Sequence, residues 1–249
     1  VHGVTRNSKD FSFLASNLCD HYQVICPDLP DRGESPPRSF ASDYGLSSNT
    51  LDIMNLFVHC RIESTVDYLG TSLGGVIGIL LASRKNSPIR KLILNDVGPY
   101  IPASISEAVA EHEKVKPRQF HSFAQAVEYH RLLSRSFGPM NEEQLHQFTL
   151  NGIRECTDGS FVFASGNHVS GNLINETWGD VDIWEHWDQI TCPVLVLQGE
   201  NSIALTNEIA AEMQERGPNC DVVTIKDTGH APHLLSMEQV NIVREWLIQ

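Results

Sequence analysis

The sequence predicts an α/β fold: a doubly wound, mostly parallel sheet with an inserted helical segment. Short runs rich in Val, Ile and Leu alternate with amphipathic stretches of helical period, which is typical of successive βα units. A loop of polar residues or glycine follows each apolar run. With 249 residues, the chain is long enough for one large core and an insertion.

The order of these runs predicts the individual elements. The predicted strands are residues 22–26, 65–69, 91–94, 193–197 and 222–225. The predicted helices of the same layers are residues 8–18, 48–59, 73–83, 203–215 and 237–248. Ser236 is the expected N-cap of the last helix. Strands and helices that alternate in this way place helices on both faces of a parallel sheet.

The segment between the third and fourth predicted strands differs from the rest. It shows helical patterns and no clear strand, the patterns lying at 105–115, 123–134 and 142–149. It also holds three of the four tryptophans, Trp178, Trp184 and Trp187. We predict that residues 1–99 and 191–249 form the core and that residues 100–190 form a helical cap over a pocket. For a single tryptophan, packing against the core is the more common role.

Composition excludes several classes of function. A formal net charge of −13 with scattered Lys and Arg disfavours nucleic acid as a partner. The longest apolar stretch, residues 76–82, is too short to span a bilayer, so no membrane association is expected. The six cysteines form no CxxC pair, which favours free thiols, no metal site and a cytoplasmic protein. The sequence does not indicate an oligomeric state.

A glycine-flanked serine follows the second predicted strand. Gly70, Ser72 and Gly74 form a G-x-S-x-G motif between that strand and an apolar helix. This context is typical of a nucleophile elbow, where the serine sits on a tight turn and its neighbours two residues away must lack side chains. We predict that Ser72 is a nucleophile rather than part of an ordinary strand-to-helix turn.

A serine hydroxyl needs a base, and histidine suits that role near neutral pH. His230 follows the last predicted strand, where a loop can bring it over the sheet edge to Ser72. His233 is a nearby competitor. We predict that His230 is the general base.

Two backbone N–H groups are candidates for an oxyanion hole. Leu73 begins the helix after the serine, where unpaired amides and the helix dipole favour negative charge. Val4 lies in an N-terminal loop that follows the end of a strand, and we predict that its N–H is the second donor. His2 is expected to be structural.

With these pieces assembled, the sequence resembles the α/β-hydrolase superfamily, in particular small bacterial hydrolases with HGLTRNSxDF, DLPGRGxSD, GTSLGG, LNDVGP and GHAP motifs. The counterparts begin at His2, Asp28, Gly70, Leu94 and Gly229, and they run almost from end to end. The resemblance implies an eight-stranded sheet with a helical cap after the sixth strand. It also implies two strands and most of a third before His2, the third lying between residues 22–26 and 65–69.

The chain departs from the resembled pattern at its acid. The pattern carries an aspartate in a G-x-x-S-D loop, which here reads Gly199 to Ile203 and ends in isoleucine. Loss of the acid from a triad costs about 10⁴ in kcat. Asp96 and Glu200 are the two candidate replacements for this acid, and Asp96 is preferred. A purely structural Asp96 that hydrogen-bonds the backbone is an equally expected interpretation. A smaller departure is Asp31, where the pattern has glycine.

The leading functional hypothesis is hydrolysis of a small hydrophobic carboxylic ester through an acyl-enzyme, without a cofactor. Phe123, Phe137 and Trp184 of the cap favour a hydrophobic substrate, and Trp184 is the predicted substrate-binding residue. One alternative is carbon–carbon bond hydrolysis of the ring-fission type, which uses the same serine and histidine. Another is a catalytically degraded hydrolase that acts as a ligand-binding module, which the missing acid supports.

Overall fold

The fold is taken from a computed structural model that describes residues 1–39, 44–62, 64–134, 137–169 and 179–249. Trp178 lies outside these residues. In chain order the strands are β1 Val66–Thr71, β2 Ile89–Asn95, β3 Tyr100–Ile101, β4 Ile153–Glu155, β5 Phe161–Phe163, β6 Val181–Asp182, β7 Val194–Gly199 and β8 Cys220–Ile225.

The helices match the predicted ones closely. They are α1 Ser12–Ser16, α2 Leu46–His59, α3 Leu73–Ala82, α4 Ala103–Val115, α5 Phe123–Ser134, α6 Glu142–Gly152, α7 Trp184–Trp187, α8 Asn207–Glu215 and α9 Met237–Ile248. A 3₁₀ turn, Ser8–Phe11, precedes α1. The side chain of Ser236 caps α9 by accepting the N–H of Gln239, as predicted. Among the described residues, none of the helices has both the length and the apolar character needed to cross a bilayer.

The main sheet is parallel and has the strand order β1-β2-β7-β8. Asn95 at the end of β2 is in register with Thr71 of β1 on one side and with Leu197 of β7 on the other. The carboxyl ends of three neighbouring strands therefore meet at one edge, where ligand sites of doubly wound sheets are found.

Alternate residues of the central strands pack on opposite faces of this sheet. Leu92 and Leu94 of β2 join a core cluster with α3, whereas Ile93 between them joins a second cluster with α1 and α9. β7 follows the same rule, with Val194 on the first face and Leu195 on the second. A strand buried on both faces must be apolar throughout, which explains the continuous apolar runs in the sequence. The predicted doubly wound α/β fold is therefore confirmed.

The predicted strand at residues 22–26 is wrong. Among the residues that the structure describes, this segment has no strand partner, and Val24 and Ile25 are exposed. A cavity of about 280 Å³, lined by Tyr22, Ile25 and Val66 among others, separates the segment from β1. An apolar run becomes a strand only when a neighbouring backbone pairs with its N–H and C=O groups, and no described strand pairs with residues 22–26. The expectation of a further strand between the two segments is not tested.

The inserted segment leaves the sheet after β2 and returns before β7. It contains α4, α5 and α6 where helices were predicted, and in addition the short helix α7, which was not predicted. The prediction that it lacks strands is wrong, because β3 pairs with β6 and β4 pairs with β5, both antiparallel. These strands have two or three residues each, too few to leave an alternating pattern in the sequence. An aromatic cluster that includes Phe120, Tyr129 and Phe163 packs α5 on the β4–β5 pair. The division into core and cap domains stays a prediction.

Candidate active site

Ser72 lies on the tight turn between β1 and α3. Its backbone has φ 50° and ψ −116°, a strained conformation for a residue other than glycine. A Cβ atom on Gly70 would lie 2.3 Å from the Gly74 carbonyl carbon, and one on Gly74 would lie 2.1 Å from the Val1 carbonyl oxygen. Both glycines are therefore required by close backbone approach, as the elbow motif predicts.

His230 connects Ser72 to Asp96. Its Nε2 lies 3.0 Å from Ser72 Oγ, and its Nδ1 lies 2.7 Å from Asp96 Oδ2. Because an ionised carboxylate only accepts hydrogen bonds, Nδ1 carries the proton and Nε2 is free to accept the serine hydroxyl proton. The structure thus brings together three of the residues predicted from sequence, which come from the ends of β1, β2 and β8.

Asp96 is fully buried and is held by three hydrogen bonds. Its Oδ1 accepts the N–H of Gly199 at 2.7 Å, and its Oδ2 accepts the hydroxyl of Ser202 at 2.6 Å as well as the His230 ring. A buried carboxylate needs such donors, because burial without them strongly disfavours the charged form. The three donors satisfy the buried carboxylate of Asp96 and hold it against His230.

The other residues considered for the acid and the base, Glu200, Ile203 and His233, make no hydrogen bond to Ser72, His230 or Asp96 among the described residues. The Glu200 carboxylate accepts the N–H of Asp227 at 2.8 Å, and Ile203 is 68 % exposed. His233 Nδ1 accepts the N–H of Leu235, and its Nε2 lies 3.3 Å from the Pro139 carbonyl oxygen. Of the two carboxylates left open by the sequence, the structure brings Asp96 to His230, while Glu200 is engaged by the loop that carries Asp227.

The two predicted oxyanion donors belong to the start of α3, at Leu73, and to the N-terminal loop, at Val4. In the part of the chain that the structure describes, the N–H groups of Val4 and Leu73 have no hydrogen-bond acceptor. A Cβ atom on Gly3, next to Val4, would lie 3.7 Å from the Ser72 Cβ, so the N-terminal loop runs close to the elbow. Both donors are therefore available for a ligand oxygen, and their role in an oxyanion hole stays a prediction.

His2 holds the N-terminal loop against the core. Its Nε2 accepts the N–H of Leu29 at 3.0 Å, and its Nδ1–H donates to the Gly3 carbonyl oxygen at 2.7 Å. Burial lowers the pKa of His2 to about 3, so the ring is neutral and keeps this donor and acceptor arrangement at neutral pH. These contacts agree with the structural role expected for His2.

Sequence reasoning missed two residues that support the site. Ser202 donates to Asp96, as described above, and Asn95 donates from Nδ2 to Thr71 Oγ1 at 3.0 Å and to the Pro232 carbonyl at 2.9 Å. Asn95 therefore ties the loop of His230 to β1. Asn95 directly precedes Asp96, and Ser202 directly precedes Ile203. No residue pattern indicates a hydrogen bond between loops so distant in sequence.

Trp184 lies near the C-terminal end of the cap segment, at the start of α7. It packs against the core cluster of α3, and the Arg216 guanidinium carbon lies 4.7 Å from its ring centroid. Trp187 is fully buried and donates from Nε1 to the Arg216 carbonyl at 2.9 Å. These packing contacts do not favour the substrate-binding role predicted for Trp184, which stays an untested prediction.

The chain is similar in sequence to known hydrolases. The profile of the alpha/beta hydrolase family matches residues 1–241. A 3-hydroxybutyrate-oligomer hydrolase of Cupriavidus necator is 34% identical over 255 residues, which cover 99% of this chain and 86% of that protein. An esterase of Escherichia coli is 22% identical over 242 residues, covering 94% and 85% of the two chains.

Solved structures agree with this relationship. An alpha/beta hydrolase from Novosphingobium aromaticivorans superposes with a TM-score of 0.85 at 28% identity, covering 100% of this chain and 87% of that one. The chain belongs to the alpha/beta hydrolase family. Together with its relatives, most of which are esterases and lipases, this membership indicates a hydrolase.

Proposed function

We propose that this protein is a serine hydrolase that cleaves small carboxylic esters through an acyl-enzyme intermediate. The observation that carries the proposal is the position of His230, which lies within hydrogen-bond distance of both Ser72 Oγ and the buried Asp96 carboxylate. A serine, a neutral histidine and a carboxylate in this order form the arrangement that activates a hydroxyl nucleophile.

In the proposed reaction, Ser72 Oγ attacks the ester carbonyl carbon while His230 Nε2 takes the hydroxyl proton. Asp96 keeps Nδ1 protonated and stabilises the imidazolium that forms. The N–H groups of Leu73 and Val4 hold the oxyanion, and the N-terminus of α3 adds a favourable dipole. His230 then gives its proton to the departing alcohol, and a water molecule activated by the same ring releases the acid.

The relative from Cupriavidus necator supplies the first substrates to test. That protein is a hydrolase of 3-hydroxybutyrate oligomers, which are linear esters of a short hydroxy acid. We propose small esters of this size as the substrate class, with apolar groups contacting the cap. The mechanism uses no cofactor. The six cysteines are all unpaired, and we propose a cytoplasmic location on that basis.

The geometry gives no support to the other two hypotheses. Carbon–carbon bond hydrolysis would use the same serine and histidine, but no contact of the described residues favours a diketone over an ester. The hypothesis of a degraded, ligand-binding protein depended on Ile203 at the usual acid position. Asp96 bonded to His230 removes that argument, because a carboxylate is present where the ring needs one.

The test is labelling with a fluorophosphonate, with mass spectrometry to locate the adduct. We expect one adduct on Ser72, hydrolysis of p-nitrophenyl acetate and butyrate, and loss of both in Ser72→Ala, with kcat reduced at least about a thousandfold. Ser47→Ala, an exposed serine in α2, is the matched control and should retain both. A folded protein that neither reacts at Ser72 nor hydrolyses any ester would contradict the proposal.

A further inference from the structure

The turn that contains Asp31 and Arg32 lies between the cap and the loop of Val4. Asp31 stands where the resembled pattern has glycine, and its φ of 62° is in the left-handed region that favours glycine. An aspartate in this conformation carries a cost in backbone strain. Contacts of its side chain are therefore needed to offset this cost.

Asp31 binds the cap segment 166–169. Its carboxylate Oδ2 accepts the N–H of His168 at 3.0 Å and that of Val169 at 3.1 Å, and its backbone oxygen accepts the N–H of Gly166 at 2.7 Å. A Cβ atom on Gly166 would lie 1.9 Å from Asp31 Oδ1, so the absence of a side chain there allows the carboxylate to approach. A fourth bond, from Gly33 N–H to the Ala164 carbonyl at 2.9 Å, lies on the same side.

Arg32 binds the opposite side of the turn. Its Nε donates to the Val4 carbonyl at 2.9 Å and its Nη1 donates to the Pro30 carbonyl at 2.8 Å. The side chain is only 1 % exposed, and burial lowers the pKa of its guanidinium to about 10, so it remains charged at neutral pH. Within the described residues it forms no ion pair with a carboxylate, and these carbonyls are the acceptors it uses.

The cap segment held by Asp31 also contacts the side chain of Val4. Val4 and Val109 pack against the buried pair Tyr44 and Val169. Val169 is also one of the two residues whose N–H groups Asp31 holds. The same cap residue is thus bonded to Asp31 and packed in the cluster that includes Val4.

We propose that Asp31 is a positioning residue for the oxyanion hole. By holding segment 166–169, it keeps Val169 packed in the cluster of Val4, while Arg32 holds the Val4 carbonyl. The backbone at Val4, and with it the N–H proposed as an oxyanion donor, is thereby restrained from both sides. This inference rests on the proposed serine mechanism.

The test compares Asp31→Gly with Asp31→Asn. Glycine suits the backbone at φ 62°, so Asp31→Gly should fold, but it loses both bonds to His168 and Val169. We expect its kcat for p-nitrophenyl acetate to fall roughly tenfold with KM within about twofold, because the oxyanion forms only in the transition state. Asp31→Asn keeps an accepting oxygen, and its kcat should stay within about threefold of wild type.

Arg61→Gly is the matched control for removing a side chain at positive φ. Arg61 has φ 51°, is exposed and follows α2. We expect it to keep the wild-type kcat. A wild-type kcat in Asp31→Gly, whatever its melting temperature, would overturn the inference, as would a loss in Asp31→Asn as large as that in Asp31→Gly. Absence of Ser72 labelling in the wild type would instead overturn the proposed function itself.

Discussion

The loops that follow β2 and β7 lie side by side at one edge of the sheet, yet they make opposite contributions. The β2 loop carries the carboxylate of Asp96, which accepts the bond from His230. The β7 loop carries no carboxylate that contacts His230. It supplies two donors, Gly199 N–H and Ser202 Oγ, and both bind Asp96.

The comparison shows that the contact of His230 with a carboxylate is made by the β2 side, while the β7 side holds that carboxylate in place. The ends of β2 and β7 are in register, so a carboxylate on either loop starts from a similar place. A Cβ atom on Gly199 would lie 2.3 Å from the Gly229 carbonyl oxygen, which shows how closely the β7 loop approaches the loop of His230. Each loop can therefore be tested separately as the source of the acid.

Asp96→Asn should have the largest effect. The amide presents a donor or a weaker acceptor to Nδ1, so the ring loses the tautomer that accepts the serine proton, and kcat should fall about 10³–10⁴-fold. The measurement is kcat on p-nitrophenyl butyrate, with circular dichroism to confirm folding. Glu200→Gln is the matched control and should stay within about threefold of wild type. A reversed result would make Glu200 the acid.

Adding Ile203→Asp to Asp96→Asn tests the β7 loop directly. The resemblance places the usual acid at position 203. We therefore expect the kcat of the double variant to be at least about tenfold higher than that of Asp96→Asn. The comparison is made between the double and single variants under identical conditions. No recovery would mean that the β7 loop, in which Ile203 is now exposed, cannot direct a carboxylate to His230.

Ser202→Ala should have a moderate effect. It removes the 2.6 Å bond to Asp96 and also the acceptor for the N–H groups of Ala204 and Leu205. Loss of a hydrogen bond to a buried charged group costs about 1–3 kcal/mol, so kcat should fall about five- to tenfold and urea unfolding should show lower stability. Unchanged kcat with lower stability would show that Ser202 supports only the loop. Ser47→Ala again serves as the control.

Ile203→Asp alone should have the smallest effect. If Ile203 were a catalytic defect, an aspartate there would raise kcat by an order of magnitude or more. Because Asp96 already contacts His230, we expect a change of less than about threefold. A tenfold gain in steady-state turnover would show that Asp96 is a poor acid or only a structural one.

Much of the fold could be predicted from residue patterns, and the failures have physical causes. Four of five predicted strands exist because runs such as residues 193–197 are apolar on both faces. Residues 22–26 have an equally apolar pattern but no partner, and pairing is not a property of one segment. The β3–β6 and β4–β5 pairs were missed because strands this short are defined by their partners rather than by periodicity.

Some residues of the candidate site could likewise be predicted from the sequence, and others could not. Ser72 and His230 could be predicted because an elbow requires glycines at fixed spacing and a histidine loop follows the last strand. The sequence favoured Asp96 over Glu200 but did not exclude Glu200, since both follow strands that end at the same edge. Ser202, Asn95, Asp31 and Arg32 act through contacts across loops, and no local pattern marks such contacts.

The sequence by itself determined the layered architecture, the strained turn at Ser72 and the general location of His230, because apolar periodicity and glycine spacing are local consequences of backbone geometry. Only the tertiary structure decided which carboxylate meets His230, since that depends on distances of a few tenths of a nanometre between loops about 130 residues apart in the chain. Tertiary structure alone likewise decided that Asp31 binds the cap, because hydrogen-bond partners distant in sequence are selected by packing.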